Sequence, residues 1–130
     1  MKNRIFLGEF IGSAFLVMII VGSGIAAQNL TRDFAVMLLA NTLATGAGLF
    51  VLINSIANIS GAHFNPVVTM TMYFTKKIKK DLIFTYICAQ ILGCLLGVML
   101  ANLMFDFHPI ELYRKIILII NTQKISIYSY

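Results

Sequence analysis

Three long apolar runs, Ile5 to Ala27, Phe34 to Ala57 and Leu82 to Phe105, constrain this chain more than any other feature. Each exceeds the roughly 20 mostly apolar residues that a helix needs to cross the hydrocarbon core of a bilayer. No water is available there to satisfy backbone N–H and C=O groups, so each run must close its hydrogen bonds within itself. The chain is 59% hydrophobic and 12% charged over 130 residues. That leaves too little polar surface for a soluble domain of this size. The reading is an all-α polytopic membrane protein with the lipid bilayer as its first partner.

The formal net charge of +5 does not indicate a nucleic-acid partner, because the basic residues sit at the ends of the apolar runs. Lys2, Arg4, Lys76, Lys77, Lys79 and Lys80 fall on one side of three spans, and Arg32 falls on the other. The excess of Lys and Arg on one side places the N-terminus and the segment from Ser60 to Asp81 in the cytoplasm. Cys88 and Cys94 lie in one apolar run and point in different directions on a helix, so they read as small buried hydrophobes, neither a disulfide nor a metal pair. No cofactor or metal is expected. His63 and His108 lie in separate loops, and no nucleophile, base and orienting group can be assembled, which argues against an enzyme.

Between the second and third runs stands Ser60-Gly61-Ala62-His63-Phe64-Asn65-Pro66-Val67-Val68-Thr69. Asn65 is a good N-cap and Pro66 suits the first helical position, so a half-helix of about 66–75 follows, too short to span. The stretch is either a surface loop or a re-entrant loop lining a wet cavity. Glu9, inside the first run, either faces the protein interior with a partner or lies near the membrane edge and snorkels. Asn41, Thr42, Thr45 and Asn54 in the second run either join helices or line a polar path. Gly8 and Gly12, the series Ala40, Ala44 and Gly48, and the ridge Ala89, Gly93, Gly97 and Ala101 each make a face that a neighbouring helix can approach closely. Gln90 sits beside the last ridge and needs a hydrogen-bond partner.

These residues resemble a known family. Ile59 through Thr69 resembles the first pore loop of the aquaporin and glycerol-channel (major intrinsic protein) family, although Asn58 stands where a Gly is common. Glu9-Phe10-Ile11-Gly12 is similar to that family's first helix, and Tyr86-Ile87-Cys88-Ala89-Gln90 with Gly93 and Gly97 to its third. Asn41 through Ala47 resembles the second helix of bacterial members linked to glycerol or arsenite passage. The resemblance covers about residues 5–105 and implies one aquaporin-like repeat, with three transmembrane helices and one re-entrant half-helix. It implies a passive channel for water or small neutral solutes, glycerol-like or arsenite, in the bacterial inner (plasma) membrane. Asn65 would cap its half-helix and offer its amide to the permeating molecule. The carbonyls of Gly61, Ala62 and His63 would form an acceptor ladder, and Glu9 and Gln90 would hold the loop. Pro66 starts the half-helix, whose positive end opposes cations.

Three departures qualify this expectation. Val67 replaces the Ala usual after Asn-Pro and adds volume where two half-helices abut. Thr45 falls where the second helix contributes to the selectivity constriction, and a small residue there implies a wider, glycerol-like filter. The family builds its pore from two inverted repeats, and its second Asn-Pro half-helix and following arginine do not occur in these 130 residues. The expectation is therefore a truncated N-terminal half that forms no pore alone and needs a separately encoded second half or a homo-oligomer. The alternative is a non-conducting small membrane interaction protein or inactive channel fragment. Residues 106–130 read as a divergent, irregular tail, either out of frame or a short amphipathic tail, in which Ile116 to Ile120 is too short to span. Gly24 and Ala26 resemble a signal-peptide cleavage pattern, but the first run is too long for a signal core and further spans follow it. Intact-mass measurement of the membrane-embedded chain is expected to show residues 5–27 retained; a species beginning near Ala27 would make the first run a signal peptide.

Overall fold

The computed structural model describes residues 2–106, in four helices: α1 Lys2–Leu30, α2 Phe34–Ser60, α3 Pro66–Phe74 and α4 Lys80–Met104. There is no strand among the described residues. The expectations for His108, for Ile116 to Ile120 and for nearly all of the 106–130 tail lie outside them. Helices α1, α2 and α4 are long and apolar enough to cross a membrane. They run past the apolar segments into polar flanks: α1 has 29 residues, about 43 Å at 1.5 Å per residue against a core of about 30 Å.

Local chemistry sets the ends. The Asp33 side chain accepts hydrogen bonds from the N–H groups of Ala35 (2.8 Å) and Val36 (3.2 Å), capping α2. Gly61 ends α2 with φ 95°, and its N–H reaches the Ala57 carbonyl. That positive φ is freely available only to glycine. Asn65 caps α3 through a 2.8 Å bond from Val67 N–H, with Pro66 at the first helical position.

α1 is the central element, packing on both α4 and α2, while the short α3 leans on α4. Lipid tails are as apolar as leucine, so helices in a bilayer associate through close packing and polar contacts. The small residues of α4 supply the closest approach: Ala89, Gly93, Gly97 and Ala101 are all buried. A Cβ at Gly93 would run into the carbonyl of Phe10, and one at Gly97 into that of Ala14. The two small residues of α1 act differently. Gly8 faces Ser60 at the end of α2, and Gly12 faces the ring of Phe64 in the loop beyond it, so they make room chiefly for the loop region. On α2 only part of the small-residue series packs: Ala40 is exposed, whereas Gly48 meets the side chain of Ile19.

The resulting molecule is polar inside and apolar outside. Its largest fully buried side chains are Gln90, Glu9, Asn102, Thr69 and Ser13, while Leu38, Leu39, Leu43, Phe50, Leu95 and Leu103 are exposed. Cys88 and Cys94 are free and only half-buried, a correction to the expectation that both are buried. Gly93→Ala is expected to destabilise the α1–α4 pair by about 1–3 kcal/mol, the usual range for overpacking. Gly46→Ala, where nothing lies within 4 Å of the added carbon, should leave stability unchanged or slightly raised. Unfolding in detergent micelles distinguishes the two.

Candidate functional site

The loop 61–65 is held from beneath by one acidic side chain. Glu9 is fully buried. Its Oε1 accepts hydrogen bonds from Ser60 Oγ (2.7 Å) and His63 N–H (3.0 Å), and its Oε2 from Phe64 N–H (2.8 Å) and Gln90 Nε2 (2.8 Å). Of the two positions the sequence allows, the structure selects the protein interior, with donors from three segments as partners. Gln90 also donates to Thr69 Oγ1 (3.0 Å), which lies 3.2 Å from His63 Nδ1. Tyr86 donates its hydroxyl to the Ser60 carbonyl and stacks on the His63 ring at 4.4 Å between centroids. α1, α4, α3 and the end of α2 thus converge on the loop.

The loop backbone is strained and directional. Gly61 (φ 95°), Ala62 (52°) and Phe64 (49°) all have left-handed conformations, which cost a residue with a Cβ about 1–2 kcal/mol. The N–H groups of Gly61, Ala62, His63 and Phe64 all find acceptors inside the protein. Among the described residues, the carbonyls of Gly61, Ala62 and His63 receive no protein hydrogen bond. Donors are spent inward and acceptors are left free. Asn65 and Pro66 are exposed, and the Asn65 side-chain oxygen is occupied by Val67 N–H, which leaves its amide NH₂ free to donate.

Val67 is 71% exposed on the same end of α3. Thr45 does not join this network, for its hydroxyl donates to Asn41 Oδ1 within α2 at 3.1 Å. Asn41 links helices through a long 3.4 Å contact from Ser23 of α1, while Thr42 and Asn54 bond carbonyls of their own helix. Ser60, Phe64, Thr69 and Tyr86 carry contacts that sequence reasoning gave no role. No one-dimensional signal exists for these contacts; that Gly12 leaves room for the Phe64 ring shows only once the loop is folded against α1. Among the described residues no group of His, Cys, Asp and Glu could hold a metal ion.

Three long apolar helices with a capped, re-entrant half-helix packed on one of them are the architecture of a membrane channel repeat. The family model for the major intrinsic proteins matches residues 1–123, and the chain belongs to that family. It is 42% identical to aquaglyceroporin AqpS of Rhizobium meliloti (strain 1021) over 110 residues, covering 85% of this chain and 47% of that protein. Aquaporin A of Dictyostelium discoideum is 35% identical over 109 residues (84% of this chain, 38% of that protein), and aquaporin NIP3-1 of Arabidopsis thaliana 36% over 99 residues (76% and 30%). The chain spans less than half the length of these curated relatives.

Glu9→Gln should disrupt the loop. Each carboxyl oxygen accepts two bonds, so whichever becomes an NH₂ faces two donors. Hydrogen bonds to a charged acceptor contribute about 1.5–3 kcal/mol each, and a loss of about 3 kcal/mol or more is expected in thermal unfolding. Faster amide exchange at His63 and Phe64 should accompany it.

Proposed function

We propose that the chain supplies one half of a passive transmembrane pore for water or small neutral solutes, with glycerol-like solutes or arsenite as the class. The observation that carries this reading is the division of polar groups in the loop: N–H groups bonded inward and, among the described residues, no hydrogen bond on the carbonyls of Gly61, Ala62 and His63 or on the Asn65 amide beside them. A file of acceptors ending at a donor suits molecules that offer both O–H and lone pairs. The N-terminus of α3 carries the positive end of the helix dipole at the same point and opposes cations. Glu9 and Gln90 support the loop, and Pro66 fixes the start of the half-helix. No covalent chemistry is involved. Membership of a channel family supports a non-enzymatic role.

The solute class rests on two supports. A small residue, Thr45, occupies the position we register to the constriction, and one relative bears the name aquaglyceroporin. Val67, exposed beside Asn65, adds volume where the two half-helices would abut and alters the pore centre. We assign the chain to a bacterial inner membrane on its likeness to the Rhizobium meliloti relative, and place the N-terminus and the lysine-rich end in the cytoplasm on the positive-inside rule.

One half-helix cannot enclose a pore. The matching half must be inverted, with its own half-helix meeting α3 end to end. A second copy in the same orientation cannot provide it, and the lysine bias opposes insertion both ways round. We therefore expect a complementary half, whether covalently continuous or separate, to cover Asn65 and the outer faces of α2 and α3. The second reading, a non-conducting membrane interaction protein, is favoured by α2, where only Ile56 and Ser60 are buried and a long apolar face stands open.

Proteoliposome swelling separates them. The 130-residue chain alone is expected to leave water and glycerol flux at the lipid background. Co-reconstitution with the second half of aquaglyceroporin AqpS should raise it, and Asn65→Leu should reduce that gain about tenfold or more, corresponding to loss of one or two hydrogen bonds. Binding of the two halves without flux would favour the interaction-protein reading.

A further inference from the structure

Six cationic side chains gather at one end of the bundle. Lys2 and Arg4 begin α1, and Lys76, Lys77, Lys79 and Lys80 lie at the junction of α3 and α4; all six are exposed. Two contacts hold the groups together. Lys2 Nζ lies 3.5 Å from the Asp81 carboxylate. Ile78, in the middle of the lysine run, packs on the buried cluster of Ile5, Leu82 and Tyr86. Ile78 therefore pegs the junction to α1 and α4 and leaves the lysines on either side facing outward. Asp81 is the only acidic side chain exposed at this end among the described residues, and it already lies beside Lys2.

A second observation comes from the backbone. α3 closes with Lys76 N–H bonded to the Tyr73 carbonyl and Lys77 N–H to that of Met72, both at 2.9 Å. This paired closure needs one residue of positive φ, usually glycine. Here it is Lys76, with φ 58°. A lysine is strained in that conformation where a glycine is not, yet the charged side chain stands there. Phe74, 72% exposed, ends the half-helix beside it.

We propose that this rim is a binding surface for the anionic headgroups of the surrounding lipids. The cations stand where the membrane-crossing helices α1 and α4 begin, which is the depth of lipid phosphates. Lysine ammonium groups on flexible stems are point charges without a fixed fork. That suits many mobile phosphates in the plane of a bilayer better than one anion in a rigid pocket. Clusters of Lys and Arg flanking a membrane helix gain attraction from each added cation. The surface is independent of whether the chain contributes to a pore.

The test uses the full 130-residue chain in nanodiscs containing phosphatidylcholine and phosphatidylglycerol, which present both bilayer faces so that insertion direction does not matter. Spin-labelled versions of each lipid report the motionally restricted fraction. At low salt, phosphatidylglycerol is expected to associate about threefold or more over phosphatidylcholine, with the preference shrinking as salt is added. The triple substitution K77Q/K79Q/K80Q, which leaves Lys2, Arg4 and Lys76 in place, should lower the preference by about half, and the corresponding arginine triple should retain it. Lys76→Gly should lower the preference while leaving thermal stability equal or higher, which separates charge from folding. Equal association of the two lipids with the unaltered chain would overturn the proposal, as would a preference unmoved by the glutamine triple. Displacement of the labelled lipid by equimolar inorganic phosphate would also overturn it, assigning the rim to a free anion.

Discussion

Glu9 has no exposed surface and four hydrogen bonds, and the geometry of the loop depends on them. At membrane depth an unsatisfied backbone N–H costs several kcal/mol. Two consecutive N–H groups, those of His63 and Phe64, point away from any helix ladder and require acceptors. A single carboxyl group brought in from α1 provides both. It is itself tolerable inside the protein only because Ser60 and Gln90 complete its shell, so loop and acid stabilise one another. Removing the acid leaves both N–H groups unpaired, and removing the loop leaves the acid with Ser60 and Gln90 alone.

The same contacts maintain backbone strain. Ala62 and Phe64 have conformations that side chains disfavour, and such residues persist where surrounding contacts over-determine them. Phe64 is fixed twice, by its N–H on Glu9 and by its ring against Gly12. Tyr86 adds a clamp from α4 through the Ser60 carbonyl and the His63 ring. The consequence for function is directional, since the N–H groups turn inward and, among the described residues, the carbonyls of Gly61, Ala62 and His63 receive no protein hydrogen bond.

Close packing between α1 and α4 makes this arrangement possible. Gln90 can reach both Glu9 and Thr69 only if α4 sits against the backbone of α1, and Gly93 and Gly97 remove the side chains that would hold the helices apart. The small-residue ridge and the polar network are thus one structural device. The ridge sets a distance, and the network uses it.

Much was legible from one dimension. The apolar runs required helices, because a bilayer permits no other way of satisfying their backbones, and Asn65-Pro66 required a helix start after a turn. Gln90 could be recognised as a polar group needing a partner, and the ridge on α4 as a packing face. The partners themselves were not legible: whether Glu9 faced inward or snorkelled, that Ser60 and Tyr86 clamp the loop, or that Gly12 makes room for a ring. Those depend on residues as far apart as Glu9 and Gln90 meeting in space, which helical periodicity cannot encode. Nor could the sequence show that Asn41 reaches toward Ser23 while Thr42 and Asn54 fold back on their own helix, since all three are polar groups in one apolar run. The sequence by itself determined that the chain crosses a membrane as helices with one interrupted segment. The tertiary structure alone decided which polar groups are consumed in holding that segment and which remain free, because hydrogen-bond pairing follows from distance and direction between elements.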